Sequence, residues 1–436
     1  MIVQVQPSKI SGTVTAPASK SAMQRACAAA LVRKGITIIR NPGVSNDDKA
    51  ALGVIQQLGA NVVTGDEEVQ VQSTGILPVS KHLNCGESGL GIRMFTPIAA
   101  LSAEDITITG TGSLVTRPMN FFDEVLPLLG VHVGSQEGRL PLHIRGPLQP
   151  RNITVDGSLS SQFLTGLLLA YAAADAKGVS IFVDDLKSRP YIDLTLQVMK
   201  DFGLKVPENR SYREFYFDTR EWVQDEQLID YTVEGDWSGG AFLLVAAAIA
   251  GPVRVNALFN TSRQADKRIV DALLDAGVEL TVGHDFVEVH QSKIQPFDFD
   301  ATDCPDLFPP LVALAAHGNG ISRIRGLKRL KHKESDRGTT LQQEFEKLSI
   351  RVDLNGDEML VHGKEMVFVK NFVLNSHHDH RIAMACAVAC LNADFEVEIR
   401  NADAVRKSYP DFWDHLRSLK AGISLKPFTT DNTFRL

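Results

Sequence analysis

The stretch DDKAALGVIQQLGANV at residues 47–62 decides the fold, because five further stretches of the chain follow its pattern. It begins as an amphipathic helix, reaches a small residue at Gly59 and continues as an extended apolar run. Apolar residues three and four positions apart predict the helix, and glycine is the usual residue where a helix ends in a left-handed conformation. The stretch therefore predicts a helix that is followed by a strand.

The same pattern returns at nearly constant intervals. Its small residues lie 71, 73, 74, 72 and 73 positions apart, and chance does not hold such an interval five times. A repeat of this length, with its own helices and strands, predicts a β/α unit of about 70 residues. The six small residues are Gly59, Gly130, Gly203, Gly277, Ser349 and Gly422.

A second kind of segment alternates with the first. It opens with small or polar residues and continues as an Ala-rich helix that is apolar nearly all round, which is typical of a buried helix. Strand-like runs follow most of the copies. The copies lie at residues 18–32, 85–101, 157–174, 235–251, 303–318 and 377–393.

Six such units predict an α/β (α+β) fold of two similar domains, each with three repeats packed around buried helices. We place the first domain at residues 14–231 and the second at residues 1–13 plus 232–436. The first strand is assigned to the second domain, and the chain midpoint near residues 231–236 is taken as a crossing between the two.

The composition and charge exclude several classes of protein. Hydrophobic residues make up 44% of the chain and charged residues 22%, as in soluble globular proteins and unlike disordered chains. A net charge of −7 argues against a nucleic-acid partner. The longest apolar run is too short to cross a bilayer and no signal-peptide pattern is visible, so we expect no membrane partner and a cytoplasmic location.

Charged residues gather at the junctions of the repeats, which are the starts of the predicted buried helices and the connections between segments. Helix N-termini attract anions because their N–H groups are unpaired. Cations concentrated there in an acidic protein predict a phosphate- or carboxylate-bearing ligand in a cleft between two domains, with Asp306 and Glu334 available for proton transfer. The eight cations are Lys20, Arg25, Arg93, Arg117, Lys333, Arg337, Arg381 and Lys407.

Metal binding is not expected. The run His377–Arg381 is rich in possible ligands, but adjacent residues of an extended segment point apart. The five cysteines form no CxxC pair and no second Cys/His cluster completes a site. Three hydroxyls and an amide at residues 157–162 instead suit a hydroxylated or phosphorylated small molecule.

Eight motifs together resemble one enzyme family, the 5-enolpyruvylshikimate-3-phosphate (EPSP) synthases, and they occur in that family's order. The resemblance covers essentially the whole chain and implies two domains of three βαβαββ units each, an inside-out barrel arrangement with the active site in the cleft between them. It also implies an enolpyruvyl transferase that needs no cofactor. The motifs are ASKSAMQRA, LVTRP, VDGSLSSQFLT, SRPYID, CPDLFP, KESDR, DHRIAM and RKSYPDF.

The reaction that the resemblance implies joins two small molecules. The enolpyruvyl group of phosphoenolpyruvate moves to the 5-hydroxyl of shikimate 3-phosphate by addition and elimination through a tetrahedral intermediate, and phosphate is released. Such chemistry needs an acid and a base on opposite sides, and four anionic groups need many cations. We expect a monomer that acts in the shikimate pathway and is a target of glyphosate.

The resemblance carries over residue by residue. It implies that Asp306 takes the 5-hydroxyl proton and that Glu334 protonates the methylene carbon. It also implies that Lys333 and Glu334 are the catalytic lysine–glutamate pair of the family and that the catalytic Lys20 touches both substrates. The implied shikimate 3-phosphate ligands are Lys20, Ser21, Arg25, Ser160, Ser161, Gln162, Ser188, Tyr191, Asp306 and Lys333. The implied phosphoenolpyruvate ligands are Lys20, Gly89, Arg117, Gln162, Arg337, Arg381 and Lys407.

Four positions depart from the family's usual pattern: Glu87, Leu90, Met94 and Arg329. They bear on phosphoenolpyruvate affinity and on glyphosate sensitivity, and none of them removes a catalytic group. Two alternatives remain open. A UDP-N-acetylglucosamine enolpyruvyl transferase shares the fold but carries a different opening and usually a cysteine before the position of Arg117. A non-catalytic binding protein of the same fold has no reason to keep Asp306 and Glu334.

Overall fold

A computed structural model describes residues 1–225, 227–363 and 372–426 of the chain. Within these ranges the helices follow the predicted alternation of buried and amphipathic segments. The α-helices are α1 (Lys20–Val32), α2 (Asn46–Gln57), α3 (Gly89–Ala99), α4 (Asn120–Val125), α5 (Ser161–Ala173), α6 (Arg189–Asp201), α7 (Trp237–Ala250), α8 (Ile269–Asp275), α9 (Phe308–Ala316), α10 (Arg337–Lys347), α11 (His380–Cys390) and α12 (Phe412–Ser418). Short 3-10 helices lie at Gly112–Thr116, Leu126–Leu129, Ala265–Arg268, Pro305–Leu307, Leu327–Leu330 and Ala402–Lys407.

The strands are short and lie between these helices. In chain order they are β1 (Ile2–Gln6), β2 (Gly12–Thr15), β3 (Gly35–Arg40), β4 (Asn61–Thr64), β5 (Glu68–Ser73), β6 (His82–Asn84), β7 (Asp105–Thr109), β8 (His132–Gly134), β9 (Leu142–Arg145), β10 (Ile153–Asp156), β11 (Val179–Asp184), β12 (Glu208–Arg210), β13 (Glu214–Phe217), β14 (Ile229–Thr232), β15 (Val253–Asn256), β16 (Leu280–Val282), β17 (Phe286–Val289), β18 (Asp298–Asp300), β19 (Gly320–Arg325), β20 (Arg351–Asn355), β21 (Glu358–Gly363), β22 (Val373–Asn375), β23 (Val397–Arg400) and β24 (Gly422–Lys426).

Each repeat forms one four-stranded sheet with the same pairing. One pair of strands is parallel and the other two pairs are antiparallel, as in the order β6-β7-β9-β8, where β6 and β7 run parallel. The second, third and fifth of the six repeats read directly as βαβαββ along the chain. The predicted fold class is therefore confirmed at the level of the repeat.

Three repeats complete their sheets with a strand from elsewhere in the chain. The first repeat takes β14, which pairs with β3, and the fourth takes β2, which pairs with β15. The sixth takes β1, which lies between β23 and β24. The N-terminal strand thus lies in the same sheet as the last two strands of the described residues.

The chain divides into two compact units. The first unit comprises Pro17–Asp236 and Thr261–Ala265, and the second comprises Met1–Ala16, Trp237–Asn260 and Asp266–Leu436. The sequence does not predict that residues 261–265 belong to the first unit, because these five residues carry no pattern that distinguishes them from their neighbours. The predicted domain limits, after residues 13 and 231, stay a prediction.

Three buried helices form the core of each unit. Helices α1, α3 and α5 pack against one another in the first unit, and α7, α9 and α11 do so in the second. Every residue of α7 is buried, as its apolar, Ala-rich sequence predicts. A fully buried Leu or Phe contributes about 1.5–3 kcal/mol, so these helices supply much of the stability of each unit. No helix in the described part of the chain is long and apolar enough to cross a membrane.

The left-handed helix ends follow the predicted small residues with one exception. Positive φ angles occur at Gly59, Gly130, Gly203, Gly277 and Ser349. The prediction for Gly422 is wrong, because Lys420 takes the left-handed conformation after α12 with φ +72°. Gly422 is instead the first residue of β24. The repeat interval therefore locates the end of the helix to within two residues, but it identifies the wrong residue as the left-handed one.

Candidate active site

Lys20 opens α1 in the first unit. Ser19 caps the helix by accepting a hydrogen bond from the backbone N–H of Ala22, which leaves Lys20 in the first turn. Lys20 Nζ donates to Asp47 Oδ2 at 2.9 Å, and Asp47 is buried. The lysine is therefore held by a carboxylate at the start of α2, a partner that sequence reasoning did not name.

Arg25 lies one turn further along α1 and is buried. Its Nε donates to Thr195 Oγ1 at 2.9 Å, and its Nη1 donates to the backbone oxygen of Ser21 at 2.8 Å. Its guanidinium lies 5.8 Å from the centre of the Tyr191 ring, and its Nη2 donates to the backbone oxygen of Tyr191 at 3.3 Å. Burial lowers the pKa of Arg25 to about 10. The structure thus brings together three predicted residues, Ser21, Arg25 and Tyr191.

A second group of predicted residues lies at the starts of α3 and α5. Arg93 Nη1 donates to Gln162 Oε1 at 2.9 Å. Gly89 lies against Arg117, because a Cβ at position 89 would be 2.6 Å from Arg117 Nη1. Arg117 Nη2 also donates to Ser113 Oγ at 3.1 Å, which orients its guanidinium. A side chain at position 89 would therefore displace the Arg117 guanidinium from its place against the start of α3.

The predicted hydroxyls of the first unit sit at helix starts. Ser160 caps α5 by accepting from the N–H of Gln162 at 3.2 Å, and Ser161 beside it is buried. Ser188 precedes α6 in the left-handed conformation with φ +55° and is buried too. A non-glycine residue in that conformation is costly, so it is retained where the surrounding structure demands it.

These residues form what we call the first cluster. Gln24 of α1, which is not a member of the cluster, accepts a hydrogen bond at its Oε1 from Ser88 Oγ at 2.9 Å and so ties α1 to the N-terminus of α3. The first cluster comprises Lys20, Ser21, Arg25, Gly89, Arg93, Arg117, Ser160, Ser161, Gln162, Ser188 and Tyr191.

Arg337 is the centre of a second cluster, which lies in the second unit. It is 1% exposed and donates to three carboxylates: to Asp306 Oδ1 at 2.7 Å, to Glu334 Oε2 at 2.6 Å and to Asp379 Oδ2 at 2.8 Å. Burial disfavours its charge, but these carboxylates outweigh burial and raise the pKa of Arg337 above its ordinary value. Arg337 is therefore a permanent cation that fixes three acids.

Asp306 is surrounded by cations. Besides Arg337, it accepts from Lys333 Nζ at 3.1 Å and from Arg381 Nη2 at 3.2 Å. Burial would raise the pKa of Asp306, but Arg381, Lys333 and Arg337 outweigh it and hold that pKa well below the ordinary value. Burial also lowers the pKa of Lys333. Asp306 is thus a carboxylate across the physiological pH range.

Glu334 and Lys407 complete the second cluster. Glu334 Oε1 lies 3.8 Å from Lys407 Nζ, and both side chains are largely buried. Asp379 caps α11 by accepting from the N–H of Arg381 at 3.0 Å and also holds Arg337. The second cluster comprises Asp306, Lys333, Glu334, Arg337, Asp379, Arg381 and Lys407, so it unites every predicted site residue of the second unit.

Sequence reasoning missed two members of these sites, Asp47 and Asp379. Each lies at the start of a helix, where an acidic residue has an ordinary explanation as a cap. The signal that would have found Asp379 is its place inside the DHRIAM motif, next to a predicted ligand. Among the described residues, no group of three or more His, Cys, Asp or Glu side chains is arranged to hold a metal ion.

A model of one protein family matches residues 5–416, and its description is EPSP synthase (3-phosphoshikimate 1-carboxyvinyltransferase). The chain belongs to the EPSP synthase family. A 3-phosphoshikimate 1-carboxyvinyltransferase of Clostridium novyi is 34% identical over 421 residues, which cover 94% of this chain and 95% of that protein. One of Aeropyrum pernix is 36% identical over 422 residues, with coverage of 97% and 96%.

A solved structure of this family gives the same fold. EPSP synthase from Acinetobacter baumannii superposes with a TM-score of 0.79 at 24% identity and covers 97% of this chain and 100% of its own. At that identity the likeness shows the fold, and it agrees with the repeated βαβαββ units described above. The chain is thus a transferase of the EPSP synthase family with the enolpyruvyl transferase fold.

The positions that depart from the family pattern differ in where they lie. Leu90 and Met94 of α3 are buried in the core of the first unit, so these two differences change packing. Glu87 lies in the turn before α3, and its carboxylate occupies the space that a Cβ at Gly112 would need, 2.4 Å away. Of these three, Glu87 brings a negative charge close to the start of α3.

Proposed function

We propose that this protein transfers the enolpyruvyl (1-carboxyvinyl) group of phosphoenolpyruvate to the 5-hydroxyl of shikimate 3-phosphate and releases phosphate. Family membership over nearly the whole chain supports this activity. The observation that carries the mechanism is the contact of one partly exposed acid, Asp306, with three cations. An enzyme that joins two anions and moves two protons needs such a group.

The first cluster suits the recognition of shikimate 3-phosphate. Arg25 is buried and held by Thr195 and by the Ser21 backbone, so it offers a preorganised positive charge. The Ser160–Ser161–Gln162 helix start supplies hydroxyl and amide groups of the kind that bind a phosphorylated polyol. Ser188 and Tyr191, before and within the first turn of α6, add another hydroxyl and an aromatic ring.

Phosphoenolpyruvate is assigned to Arg117, Gly89 and Gln162 of the first cluster and to Arg337, Arg381 and Lys407 of the second. The close approach of the Gly89 backbone to Arg117 supports this, because it lets backbone N–H groups of α3 and a guanidinium act on the same anion. We propose that both clusters act on one pair of substrates, with Lys20 reaching both ligands. Their meeting in a cleft between two domains stays a prediction.

The cations around Asp306 make its proton affinity depend on whether phosphoenolpyruvate is bound. A carboxylate that is bonded to Lys333, Arg337 and Arg381 is a poor base, because each cation stabilises its charge. When the anionic groups of phosphoenolpyruvate engage Arg337 and Arg381, part of that stabilisation is withdrawn and the proton affinity of Asp306 rises. The acid then takes the 5-hydroxyl proton as the oxygen attacks carbon 2 of phosphoenolpyruvate.

Glu334 supplies the second proton transfer. Its Oε2 is held by Arg337 and its Oε1 faces Lys407, so its position is fixed relative to the same cations that engage phosphoenolpyruvate. The methylene carbon must gain a proton as the carbon–oxygen bond forms and lose one as phosphate leaves, so one group that accepts and returns a proton serves both steps. Lys20 is the next candidate donor.

Phosphate release tests the proposal. The protein should release phosphate when phosphoenolpyruvate and shikimate 3-phosphate are both present, and should release little with either alone. The matched control is Glu346→Gln, a change at an exposed residue of α10 that leaves both clusters intact. Release without shikimate 3-phosphate would indicate a phosphatase, and no release with either or both substrates would refute the activity.

A further inference from the structure

Two consecutive residues with left-handed backbones stand immediately before the second cluster. His377 and His378 have φ angles of +52° and +58°. Side-chain-bearing residues avoid this region, and two in a row are costly unless the surrounding structure imposes them. Asp379 follows directly and Arg381 comes two residues later, so the turn decides where these two groups lie.

The carboxylate of Glu344 is bonded to this turn. Glu344 lies on α10, seven residues after Arg337 and hence near the same face of the helix, and it is 1% exposed. Its Oε1 lies 2.8 Å from His377 Nε2, and its Oε2 accepts from the backbone N–H of Asn375 at 2.9 Å. Lys347 Nζ donates to both oxygens at 2.8 Å and balances the buried charge.

The rest of the turn is fixed by backbone and hydroxyl contacts. Ser376 Oγ accepts from the N–H of His378 at 3.1 Å and donates to the oxygen of Asn401 at 2.8 Å. The N–H of Asp379 donates to the oxygen of Ser376 at 2.9 Å. Within this network the carboxylate of Glu344 bridges α10, which carries Arg337, to the segment that carries Asp379 and Arg381.

We propose that Glu344 is a positioning residue for phosphoenolpyruvate, acting through His377. By holding the left-handed turn it sets Asp379, which orients Arg337, and it sets Arg381 on the first turn of α11. This inference rests on the proposed function of the second cluster. It assigns a role to a buried acid that contacts His377, the backbone of Asn375 and Lys347.

Kinetics of Glu344→Gln test the inference. Glutamine has the same shape, but its NH2 group replaces one accepting carboxylate oxygen and faces a donor. One contact with His377, Asn375 or Lys347 is therefore lost. Because a displacement of about 1 Å in a positioned group can cost about 100-fold, we expect kcat/KM for phosphoenolpyruvate to fall by up to about that factor. The loss should lie mainly in KM for phosphoenolpyruvate, with the affinity for shikimate 3-phosphate retained. Glu346→Gln, two residues away on the exposed face, should match the unchanged protein.

A double-mutant cycle separates positioning from general destabilisation. Asparagine tolerates the left-handed backbone, so His377→Asn removes the imidazole contact with little added strain. If Glu344 acts through His377, the double variant will lose little more than the worse single variant. Independent, additive losses, or a Glu344→Gln protein with an unchanged KM for phosphoenolpyruvate, would overturn the inference.

A readout without turnover keeps the inference distinct from the proposed activity. Amide hydrogen exchange at residues 375–381 should become faster in Glu344→Gln than in Glu346→Gln, because the turn has lost its charged anchor. If the unchanged protein shows no phosphate release, the proposed function fails on its own. Unchanged exchange in Glu344→Gln would overturn the inference whatever the activity is.

Discussion

Asp306 is a partly exposed acid whose carboxylate accepts hydrogen bonds from Lys333, Arg337 and Arg381, so it rests as an anion of low basicity. Such a residue becomes an effective base when its cations are shared with another anion. The roles assigned to Asp306 and Glu334 differ in the atom that each group serves: Asp306 takes a proton from oxygen, and Glu334 gives a proton to carbon.

Replacing each acid by its amide should separate the two roles. Asp306→Asn and Glu334→Gln should each lower turnover by about 10²–10⁴-fold, the usual contribution of a general acid or base. Shikimate 3-phosphate should still bind to both variants. Exchange of solvent deuterium into the methylene group of phosphoenolpyruvate requires protonation of carbon, so it should collapse in Glu334→Gln. A Glu334→Gln protein that turns over and exchanges as fast as the unchanged protein would leave Lys20 as the donor.

Arg117→Ala should weaken phosphoenolpyruvate binding more than shikimate 3-phosphate binding. Arg117 lies against the Gly89 backbone and is oriented by Ser113, so its loss leaves an anion partly unpaired at the start of α3. A cost of about 2–4 kcal/mol is expected for such a contact. Calorimetry with shikimate 3-phosphate alone should give nearly unchanged affinity. Loss of that affinity in a folded variant would show that the assignment of Arg117 is wrong.

Asp48 makes the folding stability of the first unit depend on pH. It is buried beside Asp47, and burial raises its pKa from 3.8 to about 7. The folded state therefore holds a proton that the unfolded chain releases, so this group's contribution to stability falls as pH rises from about 4 to about 7 and is constant above. Asp48→Asn removes this dependence, although it also weakens the capping box with Ser45 at every pH.

The measurement is the unfolding free energy of Asp48→Asn and of the unchanged protein between pH 4 and pH 8. The unfolding free energy of the variant should lie furthest below that of the unchanged protein near pH 4. As pH rises, this difference should shrink by at most about 1.4 kcal/mol per pH unit. The improvement should stop near pH 7. A difference that is the same at all pH values would contradict the raised pKa.

At the scale of the element, the left-handed helix ends separate what the sequence predicts from what packing decides. Gly59 and Gly203 end α2 and α6 in the same repeat position and both have positive φ. A Cβ at Gly59 would lie 2.3 Å from the backbone oxygen of Leu77, whereas nothing lies within 4 Å of a Cβ at Gly203. The two glycines occupy equivalent positions in the repeat but differ in the space available for a side chain.

Alanine at the two positions should therefore have unequal effects. Gly203→Ala should lower the unfolding free energy by about 1–2 kcal/mol, the cost of a side chain in the left-handed region. Gly59→Ala should add a steric cost of about 1–3 kcal/mol, because backbone cannot move aside as a flexible side chain does. Denaturant titration of both variants checks this. Equal losses would mean that the chain near Leu77 yields to the methyl group.

Much of the element order could be predicted from the sequence, and the exceptions have physical reasons. The buried helices and the repeat length follow from apolar pattern, which is local information. The turn after α12 was assigned to Gly422 because glycine is the usual residue there, but Lys420 adopts the conformation. Strands β14, β2 and β1 each complete the sheet of a repeat that lies elsewhere in the chain. Their pairing partners could not be predicted, because strand pairing depends on distant parts of the chain.

The site shows the same division at the scale of the whole molecule. Motifs identified the cations and the two acids of the second cluster, and the structure brings those residues together. The groups that hold them were not identified: Asp47 beside Lys20, Asp379 beside Arg337, and Glu344 behind the His377 turn. Each is an acidic residue on or at the start of a helix, and its function depends on a partner that is distant in sequence.

In the proposed reaction the enzyme breaks the carbon–oxygen bond of phosphoenolpyruvate and leaves its phosphorus–oxygen bonds intact. The most direct measurement uses phosphoenolpyruvate labelled with oxygen-18 at the bridging position, together with shikimate 3-phosphate, and mass spectrometry of the products. Addition and elimination require the label to leave with the released phosphate, while the enolpyruvyl group appears on the 5-hydroxyl. Unlabelled phosphate with the label retained in pyruvate would show attack at phosphorus and would contradict the account.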